Sequence, residues 1–92
     1  MYAKGSKNGT VRFSLKPPGG AKRVMLAGSF NGWKPAPMRK QKGGAFALTV
    51  PLASGSHEYK FIVDGEWVVD SENPTWAMNP YGTFNSVAQV ER

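Results

Sequence analysis

Ninety-two residues with no cysteine and a single histidine, His57, leave room for one small domain. They exclude a disulfide framework, a thiolate metal site and a histidine-rich metal site. The net charge of +6 is uneven, because residues 1–57 hold ten of the twelve Lys and Arg and no acid, while residues 58–92 hold all six acids. The basic residues form no run, so the imbalance reads as a solvated face that steers an acidic partner rather than a nucleic-acid footprint. The opening MYAKGSKNGT has no apolar run of the signal-peptide kind, and no segment is long and apolar enough to span a membrane. The expectation is one cytoplasmic domain over residues 1–92, with no nucleic-acid partner and no membrane partner.

In chain order, TVRFSL (10–15) alternates Val11, Phe13 and Leu15 with Thr10, Arg12 and Ser14, the period of a half-buried strand. PPGG (17–20) breaks it, and KRVMLAG (22–28) is a second, mostly apolar strand. GSFNGWKPAP follows as a loop, in which Gly28, Asn31 and Gly32 suit positive φ. GGAFALTVPL (43–52) alternates Phe46, Leu48 and Val50, and SGS (54–56) turns the chain. HEYKFIV (57–63), the turn Asp64-Gly65 and EWVVD (66–70) form a hairpin. A polar stretch, 71–83, reads as a long loop before the last strand, FNSVAQV (84–90). With no helical period and with 11 Gly and 7 Pro, about six to eight short antiparallel strands predict an all-β, immunoglobulin-like sandwich.

A two-residue turn at Asp64-Gly65 pairs Val63 with Glu66, Ile62 with Trp67 and Lys60 with Val69. One hairpin face then carries Lys60, Ile62, Trp67 and Val69, and the other sends Tyr59, Phe61, Val63 and Val68 to the core. The six acids give no facing carboxylate pair of the kind glycoside hydrolysis needs. Asp64 is taken by the turn, and Glu66 and Asp70 are expected in solvent. One histidine among scattered serines is no triad, and no Gly-rich loop opens a helix. No catalytic residue, metal or cofactor is expected, and the chain reads as a non-enzyme.

Three tryptophans stand at turns and loops rather than mid-strand: Trp33, Trp67 and Trp76. An indole beside polar groups suits a sugar, whose C–H face lies on the ring while its hydroxyls meet hydrogen-bonding side chains. Lys60, Tyr81, Thr83 and Asn85 are the candidate polar and aromatic neighbours, and Trp76 is a peripheral candidate. Composition alone leaves stacking of nucleobases open beside stacking of sugars.

Three motifs in order, GSFNGW, HEYKFIVDGEW and NPYGTFNSV, make the chain resemble carbohydrate-binding module family 48 over about residues 9–90. This is the glycogen-binding type of module found in the β subunit of AMP-activated protein kinase, and the early-set domain of isoamylases and branching enzymes. The resemblance implies an early-set sandwich that binds α-1,4-linked glucan without cleaving it. It implies stacking on Trp33 and Trp67, and hydroxyl contacts from Lys60, Thr83 and Asn85. Tyr81 stands where the kinase modules carry an aliphatic residue, and Trp76 has no counterpart in the motif. The partners implied are glycogen, starch, maltooligosaccharide or cyclodextrin, together with a glucan-metabolising enzyme or a kinase assembly. The alternative is a protein-interaction module of the same fold, whose tryptophans lie in a protein interface.

Overall fold

The computed structural model describes residues 1–91. Ten strands run in the order β1 (Tyr2–Lys4), β2 (Thr10–Leu15), β3 (Val24–Gly28), β4 (Ala36–Pro37), β5 (Arg39–Lys40), β6 (Phe46–Pro51), β7 (Gly55–Val63), β8 (Glu66–Val68), β9 (Trp76–Met78) and β10 (Phe84–Val90). All pairings are antiparallel and build two sheets, β1-β2-β6-β5 and β4-β3-β7-β10-β9, with β8 added to β7. The all-β sandwich expected from the periodicity is therefore present. Among the described residues the strands number ten rather than six to eight, because the N-terminal segment, the 33–42 loop and the polar stretch each contribute short ones.

The alternation in the sequence decides what each sheet buries. Val11, Phe13 and Leu15 of β2 face Val24 and Leu26 of β3 and Tyr59 and Phe61 of β7, all buried, across the sandwich. Tyr59 stands edge-on to Phe13 and to Phe61, with ring centroids 4.8 and 5.7 Å apart. Burying such side chains contributes about 1.5–3 kcal/mol each, which is how a domain this small holds together.

The hairpin register is the one the turn dictates: Phe61 pairs with Val68, Ile62 with Trp67 and Val63 with Glu66. β8 ends at Val68, so the pairing expected between Lys60 and Val69 lies beyond it. Asp64 sits at φ 47°, and its carboxylate accepts hydrogen bonds from the backbone N–H of Lys22 and Arg23.

Asp70 departs from expectation. It is fully buried rather than solvated. Its carboxylate accepts from the Tyr59 hydroxyl at 2.7 Å and from the Glu72 N–H, while its own N–H donates to Ser86 Oγ. Asn73 donates to the Tyr59 oxygen and to the Val87 carbonyl. This network ties the start of the 71–83 stretch to β7 and β10. A buried carboxylate is stable only when its lone pairs are filled in this way.

Gly28 also departs from the expected reason for its presence. Its backbone is extended, at φ −165°, so positive φ does not require glycine here. A Cβ at this position would lie 2.4 Å from the Phe30 ring and 2.7 Å from the Glu58 carbonyl oxygen. Close approach of the next turn to β7 is what excludes a side chain.

Candidate functional site

β7 is nine residues long and changes neighbours along one edge. Over residues 55–59 that edge pairs with β10, and over 61–63 it pairs with β8. Lys60 stands where the edge changes hands. Because Tyr59 and Phe61 are buried, Glu58, Lys60 and Ile62 project from the opposite face of the sheet. Trp67 is paired with Ile62 and shares that face. Ser86 is paired with Tyr59, so Asn85 beside it also projects outward. Ile62 is only 6% exposed on this outer face, a small apolar floor lying outside the main core cluster.

Trp33 reaches the same face from a tight turn. Ser29–Asn31 forms one turn of 3₁₀ helix, with the Asn31 side chain accepting from the Gly28 N–H. Phe30 stacks on Phe13 of the core at 5.6 Å and anchors that turn. Gly32 and Trp33 are both left-handed, at φ 66° and 62°, and the Trp33 N–H closes on the Gly28 carbonyl at 2.9 Å. Gly tolerates that region; a tryptophan there is strained and is held by its surroundings.

The result is an open groove of about 500 Å³ in which Trp33, Trp67, Lys60, Tyr81, Thr83 and Asn85 come together. Ser29, Glu58, Met78, Asn79 and Pro80 complete its lining. Trp67 is 47% exposed and Tyr81 is 91% exposed, so both rings are offered to solvent. Trp76 lies outside this lining. β9 pairs it with Ser86, which sets it on the sheet's other face, and its ring meets Phe84 at 6.0 Å.

Asn79 organises the polar side of the groove. Its Oδ1 accepts from the backbone N–H of Tyr81 and of Thr83 at 3.0 and 3.2 Å. Its Nδ2 donates to Thr83 Oγ1 at 2.6 Å and to Asn85 Oδ1 at 3.1 Å. Lys60 Nζ also donates to Thr83 Oγ1, at 3.2 Å. Two donors fill the lone pairs of the Thr83 hydroxyl, so its own proton is free to point outward. Asn85 is 5% exposed, and its Nδ2 donates to Glu58 Oε1 at 2.9 Å. Both ends of that carboxamide are thus engaged within the protein.

Glu58 and Asn79 escaped the sequence reading. Alternation along HEYKFIV places Glu58 on the same face as Lys60, which was the available signal. Nothing local marked Asn79, because its role depends on a turn closed by its own side chain. Among the described residues there is no group of three or more His, Cys, Asp or Glu that could hold a metal ion, and no helix long and apolar enough to cross a membrane.

Comparison with known proteins points in one direction. The family model described as "Glycogen recognition site of AMP-activated protein kinase" matches residues 11–92. The chain is 39% identical over 74 residues to 5'-AMP-activated protein kinase subunit beta-1 of Sus scrofa, covering 80% of this chain and 59% of that one. Against the Homo sapiens subunit the identity is also 39%, covering 80% of this chain and 27% of the relative. Against the chloroplastic protein PTST homolog 2 of Arabidopsis thaliana it is 47% over 62 residues, covering 66% and 12%. A solved maltogenic amylase from S. marinus superposes with a TM-score of 0.74 at 25% identity, over 90% of this chain and 14% of that one. The chain spans less than two thirds of the length of each of these relatives.

Proposed function

This chain belongs to the glycogen-recognition family of AMP-activated protein kinase, and from that premise we propose that its groove holds a run of α-1,4-linked glucose units. The observation that carries the proposal is the convergence of two indoles, the partly buried Trp33 and the exposed Trp67, with Lys60 and Thr83 in one groove. Each ring offers a flat apolar face to the C–H face of a glucose unit. Lys60 and the outward proton of Thr83 meet hydroxyls, and Tyr81 adds a third ring from the loop between β9 and β10. Asn85 holds the polar wall in place more than it reaches outward. Trp76 takes no part in this groove and belongs to the opposite face.

The groove binds without cleaving. Glycoside hydrolysis takes two facing carboxyl groups, and Glu58 is the one carboxylate in the lining. A wet, open surface gives modest affinity per site, and a glycogen particle with many chain ends raises it through effective concentration. Glucan-active enzymes or a kinase assembly are the partners that the relatives suggest.

The test is tryptophan fluorescence titrated with β-cyclodextrin and maltoheptaose on wild type, Trp33→Ala and Trp67→Ala. The expected result is a saturable change in the wild type that each substitution abolishes while circular dichroism stays native. The change should be indifferent to salt, because the ligand is neutral; nucleic-acid binding would weaken steeply. A wild type that gives no response to either sugar overturns the reading.

A further inference from the structure

We propose that Glu58 is the hydroxyl acceptor of this groove and that Asn85 serves to aim it, an inference that rests on the glucan reading above. The hydrogen-bond directions lead there. A carboxylate only accepts, so the Asn85 group facing Glu58 Oε1 at 2.9 Å is Nδ2. Asn85 Oδ1 then faces Asn79 Nδ2 at 3.1 Å. The orientation of Asn79 is fixed in turn by the two backbone N–H groups that its Oδ1 accepts. A directional chain therefore runs from the loop backbone through Asn79 and Asn85 to one oxygen of Glu58. Each member has its orientation set by the one before.

That chain leaves the second oxygen, Oε2, without a donor among the described residues, on a half-buried side chain that lines the groove. Of the other polar side chains on this wall, Lys60 and Thr83 present protons, while the hydroxyls of Ser29 and Tyr81 are neutral groups that either give or accept one. Lys60 has N–H groups beyond the one given to Thr83, and Thr83 has both lone pairs filled. A glucose hydroxyl is both donor and acceptor. Lys60 and Thr83 satisfy only its oxygen. Glu58 is the one carboxylate in the lining, and it supplies the charged acceptor for a hydroxyl proton. Charge-assisted bonds of this kind are about twice as strong as neutral ones. The ligand class that follows is a sugar with a free hydroxyl directed at Glu58, so deoxygenation at that position removes the contact.

The experiment is calorimetric titration of the 92-residue chain, as wild type, Glu58→Ala and Glu58→Gln, with β-cyclodextrin and its uniformly 2-, 3- or 6-deoxygenated forms. In a cyclic ligand every glucose unit is equivalent, so one deoxygenation empties the same position throughout. Glu58→Ala is expected to weaken parent β-cyclodextrin roughly tenfold or more, the range of a hydrogen bond to a charged group. Against one deoxygenated form that loss is expected to shrink to less than about twofold, because the partner hydroxyl is already gone. Glu58→Gln, which keeps an oxygen for Asn85 but turns an amide outward, is expected to show the same pattern. Unchanged affinity of both variants for the parent sugar, or an equal loss against every form, overturns the assignment while leaving glucan binding intact. A wild type that binds no β-cyclodextrin overturns the glucan reading itself. Near-ultraviolet circular dichroism of each variant separates these results from misfolding.

Discussion

Phe30 stacks on Phe13 with ring centroids 5.6 Å apart and planes inclined by 23°, three residues before Trp33. The contact joins the turn that presents the tryptophan to the centre of the core, since Phe13 is fully buried. Phe30→Ala should therefore lower stability and sugar affinity together. Removal of a fully buried Phe costs about 3–5 kcal/mol, and Phe30 is half-buried, so about 2 kcal/mol is expected here. Urea unfolding and fluorescence titration on the same variant check the pair of effects. A variant that loses stability yet binds β-cyclodextrin as before would show that the turn holds Trp33 without its anchor.

Trp33 is a tryptophan in left-handed backbone, at φ 62°. For an L-residue that conformation costs about 1–2 kcal/mol, and glycine adopts it freely. Trp33→Ala removes the ring and keeps the strain. Trp33→Gly removes both, offset in part by the greater entropy of an unfolded glycine. The glycine variant should be more stable than the alanine variant by about 0.5–1 kcal/mol in urea unfolding, the balance of those two terms. Neither should bind β-cyclodextrin. An alanine variant more stable than the glycine one would mean that the turn relaxes once the indole is gone.

Burial and the Asp70 carboxylate raise the pKa of Tyr59 far above its ordinary 10.0. The unfolded chain releases this proton near pH 10 and the folded chain keeps it. The unfolded state then binds fewer protons, so stability from this group is fully present below about pH 10 and falls as pH rises above it. Tyr59→Phe removes a donor from a buried carboxylate and should cost about 2 kcal/mol at pH 7, the range for a hydrogen bond to a charged group. The stability difference between wild type and Tyr59→Phe should narrow above pH 10. Denaturant titrations of both proteins from pH 7 to 11 test this, and a constant difference would remove Tyr59 from the alkaline limb.

Much of this architecture could be read along the chain. Asp64-Gly65 set the hairpin register, and alternation separated Tyr59 and Phe61 from Lys60. Both were local signals, written within a few residues of the structure they control. What escaped reading depends on residues far apart. Asp70 looks solvated at the end of a strand, and the approach of Tyr59, Asn73 and Ser86, with the N-terminal amine of Met1 paired to its carboxylate, encloses it. Trp76 looks like part of a loop until β10 offers it an edge, and the pairing with Ser86 then turns it away from the groove. Glu58 gains a partner only because β10 brings Asn85 across from β7, 27 positions away in sequence. The resemblance to the glycogen-binding motifs carried the rings, Lys60, Thr83 and Asn85. It carried no account of what aims the polar wall.

Asn79 provides that aim, and its two halves can be tested separately. The Oδ1 half orders the loop by accepting from Tyr81 and Thr83 N–H; the Nδ2 half feeds Thr83 and Asn85. Asn79→Ala removes both, and amide exchange at Tyr81 and Thr83 should accelerate about tenfold, the worth of roughly one lost hydrogen bond. Asn79→Asp keeps the acceptors, so exchange at those amides should stay as in wild type. It replaces the donor with an oxygen, however, and the Thr83 proton then turns inward to that oxygen, away from the sugar. Both variants should bind maltoheptaose more weakly, the alanine through a loosened loop and the aspartate through a reversed hydroxyl. If Asn79→Asp kept both slow exchange and wild-type affinity, loop order alone would account for the role of Asn79, and the direction of the Thr83 hydroxyl would not matter.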